Sequence, residues 1–117
     1  MAGIVFLKTG DLARILEFYT GRVGMTVWLE QPGITILRHE NLLIGFQQHT
    51  GPDVAGVITF FYPARDDVDV MYEALRDTAL EPPRTNEKYR IYNFFAHDPE
   101  GRTIEFQHFL HDLPAWR

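Results

Sequence analysis

The strongest constraint on this chain is that its second half repeats its first. Gly3-Ile4-Val5-Phe6-Leu7 resembles Gly56-Val57-Ile58-Thr59-Phe60 at an offset of 53. Asp11-Leu12 and Asp67-Val68 each open a helical pattern, at an offset of 56. Leu43-Ile44-Gly45-Phe46-Gln47 resembles Thr103-Ile104-Glu105-Phe106-Gln107, at an offset of 60. The matches keep their order while the offset grows in steps. Insertions into a duplicated unit produce that pattern: Pro63-Ala64-Arg65 accounts for the first step, and the loop around Pro82 to Lys88 for the rest.

Each half carries the same local signals. Residues 3–8 are apolar and rich in β-branched side chains, which predicts a strand. Asp11 is suited to cap a helix, because its carboxylate can accept from free N–H groups. Leu12, Ile15, Leu16, Tyr19 and Val23 follow at helical spacing, and Gly24 is a stop. Met25–Glu30, Ile34–His39 and Leu42–Gln48 then predict three strands, separated by Pro32-Gly33 and Glu40-Asn41. In the second half, Gly56–Tyr62 predicts a strand. Asp67 is expected to cap a helix carrying Val68, Met71, Tyr72 and Leu75. A short strand is expected near Leu80, before Pro82-Pro83, and longer ones over Tyr89–Ala96 and Thr103–His108. Between the last two, Asp98-Pro99-Glu100-Gly101 has turn chemistry, with Pro fixing φ at the second position. The fold class predicted is α+β: two βαβββ modules, about 3–48 and 56–109, joined by a linker over 49–55. A tail follows over 110–117, whose Trp116 is available to pack on the domain or on a partner.

Composition narrows the function. The net charge is −5, with no basic run to displace counterions from phosphates, which argues against nucleic acid as a partner. There is no cysteine, so disulfides, thiolate zinc sites and cysteine nucleophiles are excluded. No apolar stretch approaches the roughly 20 residues of a membrane helix, and the N-terminal residues lack the basic segment of a secretory signal. These features predict a cytoplasmic protein with no membrane partner.

Two segments carry a family likeness. Asp11-Leu12, Leu16-Glu17-Phe18-Tyr19 and Val23-Gly24-Met25 resemble a helix-to-strand signature of the glyoxalase/bleomycin resistance/extradiol dioxygenase (vicinal oxygen chelate) superfamily. Asp98-Pro99-Glu100-Gly101 with Ile104-Glu105 resembles its terminal hairpin. The likeness extends over about residues 3–109. It implies modules built as curved mixed sheets that pair around a cavity, within the chain or across a homodimer. In metal-dependent members it implies ligands on the first and last strands of each module.

Counting along the repeat puts those ligand positions at Ile4, Gly45, Val57 and Glu105. Only Glu105 has a donor atom. A catalytic zinc usually takes three protein ligands, and magnesium wants carboxylates plus substrate phosphate. The expectation is therefore no metal and no cofactor. Of the histidines, His39 and His49 are expected to be solvated, and His97 is placed to orient the Asp98 turn. His108 and His111 read as a surface pair, or alternatively as a relocated metal site.

Strand alternation extends the inward set. Phe6 and Lys8 accompany Ile4; Leu43 and Gln47 accompany Gly45; Thr59 and Phe61 accompany Val57; Thr103 and Gln107 accompany Glu105. The predicted ligand-binding residues are Phe6, Lys8, Gln47, Thr59, Phe61, Glu105 and Gln107, with Tyr92, Asn93 and Phe94 as further candidates. Trp28 and the other aromatics would add stacking surface. Lys8 would hold a ligand anion, pair with Glu105, or reach water. Glu105 would act as a general acid or base, or simply be hydrogen-bonded to Gln47 or Gln107.

Three functions follow as expectations. The first is a metal-free small-molecule-binding protein, taking an apolar or aromatic ligand in the inter-module cavity, as the resemblance to the bleomycin-resistance branch implies. The second is a glyoxalase- or dioxygenase-like enzyme (isomerase, lyase or oxygenase) with a displaced metal or with Glu105 as acid/base. The third is a degenerate module that only mediates association.

Overall fold

The computed structural model describes residues 2–115; the Trp116 expectation lies outside the described residues. The chain forms two compact units. The first comprises residues up to Ala55 together with Asp98–Arg102, and the second comprises Gly56–His97 and the residues from Thr103 onward. Each unit holds one four-stranded mixed sheet with a helix against it, an α+β arrangement.

In the first unit the order is β1 (Val5–Thr9), α1 (Leu12–Phe18), a π-helical turn (Tyr19–Val23), β2 (Thr26–Gln31), β3 (Ile34–His39) and β4 (Leu42–Gln48). The sheet order is β1-β4-β3-β2, with β1 parallel to β4 and the other pairs antiparallel. Asp11 caps α1 as its chemistry predicts, its Oδ1 accepting from the Arg14 amide at 3.2 Å. Gly24 ends the helical segment at φ 94°, a left-handed conformation that glycine reaches without a Cβ penalty. Ile15, Phe18, Tyr19 and Val23 bury against Leu37, Ile44 and Phe46, with Tyr19 stacked on Phe46 at 5.0 Å between ring centroids. Strand β2 bulges at Trp28: Val27 pairs with Leu37 and Leu29 with Ile36, so Trp28 is the extra residue.

The second unit repeats this order with β5 (Val57–Phe61), α2 (Arg65–Leu75), β6 (Arg84–Asn86), β7 (Ile91–His97) and β8 (Thr103–Phe109). Its sheet runs β5-β8-β7-β6, with β5 parallel to β8. Val68 and Leu75 of α2 meet a core of Phe60, Phe94, Ile104 and Phe106. Phe106 stacks on Phe94 at 5.1 Å and on Phe60 at 5.4 Å.

Three local expectations need correction. Asp67 does not cap α2. The helix starts two residues earlier, and Asp67, in its first turn, reaches back to accept from the Ala64 amide at 3.2 Å. No strand forms at Leu80. One bridge joins Ala79 to Ala96, and β6 begins only at Arg84, because Pro82 and Pro83 have no N–H to give a ladder. Strand β7 starts at Ile91 rather than Tyr89, since Arg90 sits at φ 54°, a left-handed conformation that breaks an extended run.

Candidate functional site

Register fixes which side chains share the helix-free face of each sheet. In the second unit, Thr59 pairs with Glu105, Phe61 with Gln107, Phe95 with Glu105, Asn93 with Gln107, and Ile91 with Phe109. These alternate with Phe60, Phe94, Ile104 and Phe106, which face α2. The face they form bounds a concavity of about 540 Å³ lined by Asn86, Tyr89, Ile91, Asn93, Phe95, Glu105, Gln107, Phe109 and His111. Aromatic and aliphatic walls with a few polar groups are the usual character of a small-molecule site.

Glu105 anchors the polar part of this wall. Its Oε1 accepts from the Thr59 hydroxyl at 2.8 Å and its Oε2 accepts from Asn93 Nδ2 at 2.7 Å. Within this unit, the partner expected for it, Gln107, is not one it has. Cross-strand neighbours win because Thr59 pairs directly with Glu105, and Asn93 lies on the adjacent strand one diagonal step away. Of the three further candidates in β7, only Asn93 reaches this wall. Phe94 packs into the core, and Tyr92 turns to the helix side, where its hydroxyl donates to Asp69 of α2 at 2.5 Å.

On the first unit, Phe6, Lys8, Leu43, Gly45 and Gln47 share one face, because Phe6 pairs with Gly45 and Lys8 with Gln47. Phe6 is 52% exposed, and its ring lies over Gly45. A Cβ at Gly45 would stand 2.5 Å from Phe6 Cδ1 and Cε1. Lys8 is exposed, and its backbone ties it into the unit: its amide donates to Asp53 Oδ2 at 3.0 Å, and its carbonyl accepts from Arg102 Nη2 and from the Asp53 amide.

The ligand positions of metal-dependent relatives do not fit a metal here. Ile4 and Val57 are alkyl side chains, and the ring of Phe6 fills the space a side chain at Gly45 would need. Glu105 already accepts two hydrogen bonds. No group of three or more His, Asp or Glu suited to a cation occurs among the described residues. The two C-terminal histidines do not converge: His108, in β8, makes a 3.0 Å contact from Nδ1 to the Tyr62 carbonyl, while His111 Nδ1 meets the Asp112 carbonyl at 2.9 Å. His39 is half-buried, and burial holds its imidazole below the usual range.

One buried cluster escaped sequence reasoning. Arg102, 1% exposed, pairs with Asp98 and donates from Nε to the Asp53 carbonyl at 2.8 Å and from Nη2 to the Lys8 carbonyl at 3.1 Å. The Tyr19 hydroxyl donates to Asp98 Oδ2 at 2.7 Å. Asp98 Oδ1 accepts from the amides of Glu100 and Arg102. Tyr19 and Arg102, rather than His97, therefore orient the turn. Burial, reinforced by the Asp98 charge, pushes the Tyr19 phenol well above its ordinary range. For Arg102 burial acts against the charge, but Asp98 outweighs it and the guanidinium is held protonated. The only sequence signal was an arginine directly after the Asp-Pro-Glu-Gly turn, which reads equally well as a solvated side chain.

Comparison with known proteins agrees with this architecture. A family profile described as Glyoxalase/Bleomycin resistance protein/Dioxygenase superfamily matches residues 3–106. No curated protein matches the sequence. Among solved structures, the chain is similar to a glyoxalase/bleomycin resistance protein/dioxygenase family enzyme from Burkholderia phytofirmans PsJN (TM-score 0.80, 18% identity, covering 92% of this chain and 97% of that one). It is similar to a glyoxalase/bleomycin resistance protein/dioxygenase from Nocardioides (0.74, 19%, 100% and 88%). It is also similar to a lactoylglutathione lyase from Agrobacterium tumefaciens (0.75, 16%, 92% and 92%). The repeat, the two β-α-β-β-β units and the profile over almost the whole chain lead to one assignment: the protein belongs to the glyoxalase/bleomycin resistance protein/dioxygenase superfamily.

Proposed function

We propose that this protein binds a small apolar or aromatic molecule without a metal ion, and that the ligand seats in the concavity of the second unit. One observation carries the reading. The sole donor among the family's ligand positions, Glu105, is engaged by Thr59 and Asn93 in the wall of an aromatic-lined cavity. Such a carboxylate is built to orient a ligand through hydrogen bonds rather than to hold an ion. Thr59, Phe61, Glu105 and Gln107 would contact the ligand or support the groups that do. Phe6, Lys8 and Gln47 offer a second, more exposed surface on the first unit.

A thermal-shift screen of flat aromatic compounds tests this. A true ligand at a hundred times its Kd adds about 2.7 kcal/mol of stability. A hit whose shift is lost in Asn93→Ala and Glu105→Ala supports the reading. A library without hits argues for a module that only mediates association.

A second reading, acid–base catalysis by Glu105 in a glyoxalase- or dioxygenase-like enzyme, is favoured by the fixed orientation of the carboxylate. It predicts turnover that Glu105→Gln abolishes while the fold is kept. We also read the chain as a homodimer. Val27, Trp28 and Leu29 are 49%, 50% and 41% exposed on the sheet-edge strand β2, the kind of apolar edge that association covers. Sedimentation equilibrium would test it, with a monomer mass as the contrary result.

A further inference from the structure

We propose that the cavity of the second unit selects a planar ligand presenting N–H donors, of the amidine or aminoheterocycle class, and discriminates against anions. The inference rests on the reading of this cavity as a ligand site.

It starts from Gln107. This residue is 8% exposed and lines the cavity, yet its side-chain amide has no hydrogen-bond partner among the described residues. Its amide is open to the cavity rather than sealed in the core, so it is free to pair with a bound molecule. Asn93, also 8% exposed, pairs with Gln107 across the β7–β8 ladder, with Cβ atoms about 5 Å apart for such neighbours. Its Nδ2 is given to Glu105, which leaves Oδ1 as an acceptor. Glu105 lies two residues before Gln107 on the same face, about 7 Å along a strand. Its carboxylate has received one donor on each oxygen and keeps acceptor capacity on both.

The unfilled capacity is mixed: the Glu105 carboxylate, Asn93 Oδ1 and Gln107 Oε1 accept, while Gln107 Nε2 and the second Asn93 N–H donate, and the one full charge among them is the carboxylate. A ligand meets that charge with N–H groups, and the two side-chain amides adapt to it as donors or acceptors. The charge balance points the same way. Among the described residues, no lysine or arginine lines the cavity, and its one basic side chain, His111, is exposed and occupied with the Asp112 carbonyl. An anion would face Glu105 with no compensating cation, whereas a delocalised cation would be attracted by it. Tyr89, Phe95 and Phe109 supply aromatic faces and edges against which a flat cationic group packs well.

Three near-isosteric probes test the inference: 2-naphthamidine, 2-naphthamide and 2-naphthoate, titrated calorimetrically into the full chain at fixed ionic strength. The expected order is amidine, then amide, with naphthoate at least tenfold weaker than the amidine. Glu105→Gln should bring the amidine down to the amide, and Gln107→Leu should weaken the amide. On unmodified protein, the side-chain amide resonances of Gln107 should shift on binding, which keeps the test valid if a variant misfolds. Naphthoate binding as tightly as the amidine would overturn the selectivity. So would affinities unchanged in both variants, or unmoved Gln107 resonances. If these probes fail while other compounds in the aromatic library bind the cavity, this ligand class is wrong and the binding reading stands. If nothing binds, both fall.

Discussion

The ring of Phe6 lies over Gly45, so that a Cβ at position 45 would stand 2.5 Å from two of its carbons. The two residues are partners in the parallel β1–β4 ladder, and the glycine makes room for the ring. Gly45→Ala should therefore displace Phe6 or strain the strand, at a cost of about 1 kcal/mol or more. Phe6→Ala should relieve most of it. A double-mutant cycle by urea denaturation would show this coupling; strict additivity would mean that the ring swings aside without cost.

The Asp98–Arg102 pair should matter more for stability than its place in a turn suggests. Removing one partner of a buried pair leaves the other charge uncompensated, typically costing about 3–5 kcal/mol. Arg102→Ala should fall in that range, a large share of the roughly 5–15 kcal/mol that holds a domain of this size together. Arg102→Lys should recover little, because one ammonium cannot reproduce the bonds to Asp98, Asp53 and Lys8 together. Denaturation midpoints check both.

Tyr19 predicts a loss of stability in alkali. Its phenol is held protonated in the folded state by burial and by the Asp98 carboxylate, whereas in the unfolded chain it ionises near pH 10. The folded pKa is the higher one, so this contribution is complete below about pH 10 and is lost as the pH rises beyond it. The slope is about 1.4 kcal/mol per pH unit for one such group. Tyr19→Phe should be less stable at neutral pH, having lost the bond to Asp98, but should show a shallower alkaline slope. Parallel stability curves for the two proteins between pH 10 and 12 would contradict this.

Adjacent residues of β8 should respond in opposite ways. Phe106 is fully buried among aromatic rings, and Phe106→Ala should cost about 3–5 kcal/mol. Gln107 lines the cavity without a side-chain partner, so Gln107→Leu gives up no hydrogen bond and should be neutral or stabilising by up to about 1 kcal/mol. A variant that gains stability while losing ligand affinity would mark Gln107 as a binding rather than a structural residue.

Much of the fold was legible because hydrophobic alternation and helical spacing recur in both halves. The same alternation gave the faces of β4, β5 and β8, since one residue of register decides every side chain on a strand. What was not legible depended on contacts distant in sequence. Arg102 reads as a surface residue until Asp53 and Lys8 bring their carbonyls to it. The partners of Glu105 lie 46 and 12 residues away, and pairing across strands selected Thr59 and Asn93 over the nearby Gln107. The start of β7 turned on a single left-handed residue, Arg90, which no side-chain pattern announces.

A ligand is expected to seat against Glu105, Asn93 and Gln107 without a metal ion. Calorimetric titration of a screening hit into chelator-treated protein tests it most directly. The expected result is one ligand per chain, an affinity unchanged by added zinc, manganese or iron, and loss of binding in Glu105→Ala. Binding that appears only when a divalent metal is restored would contradict it.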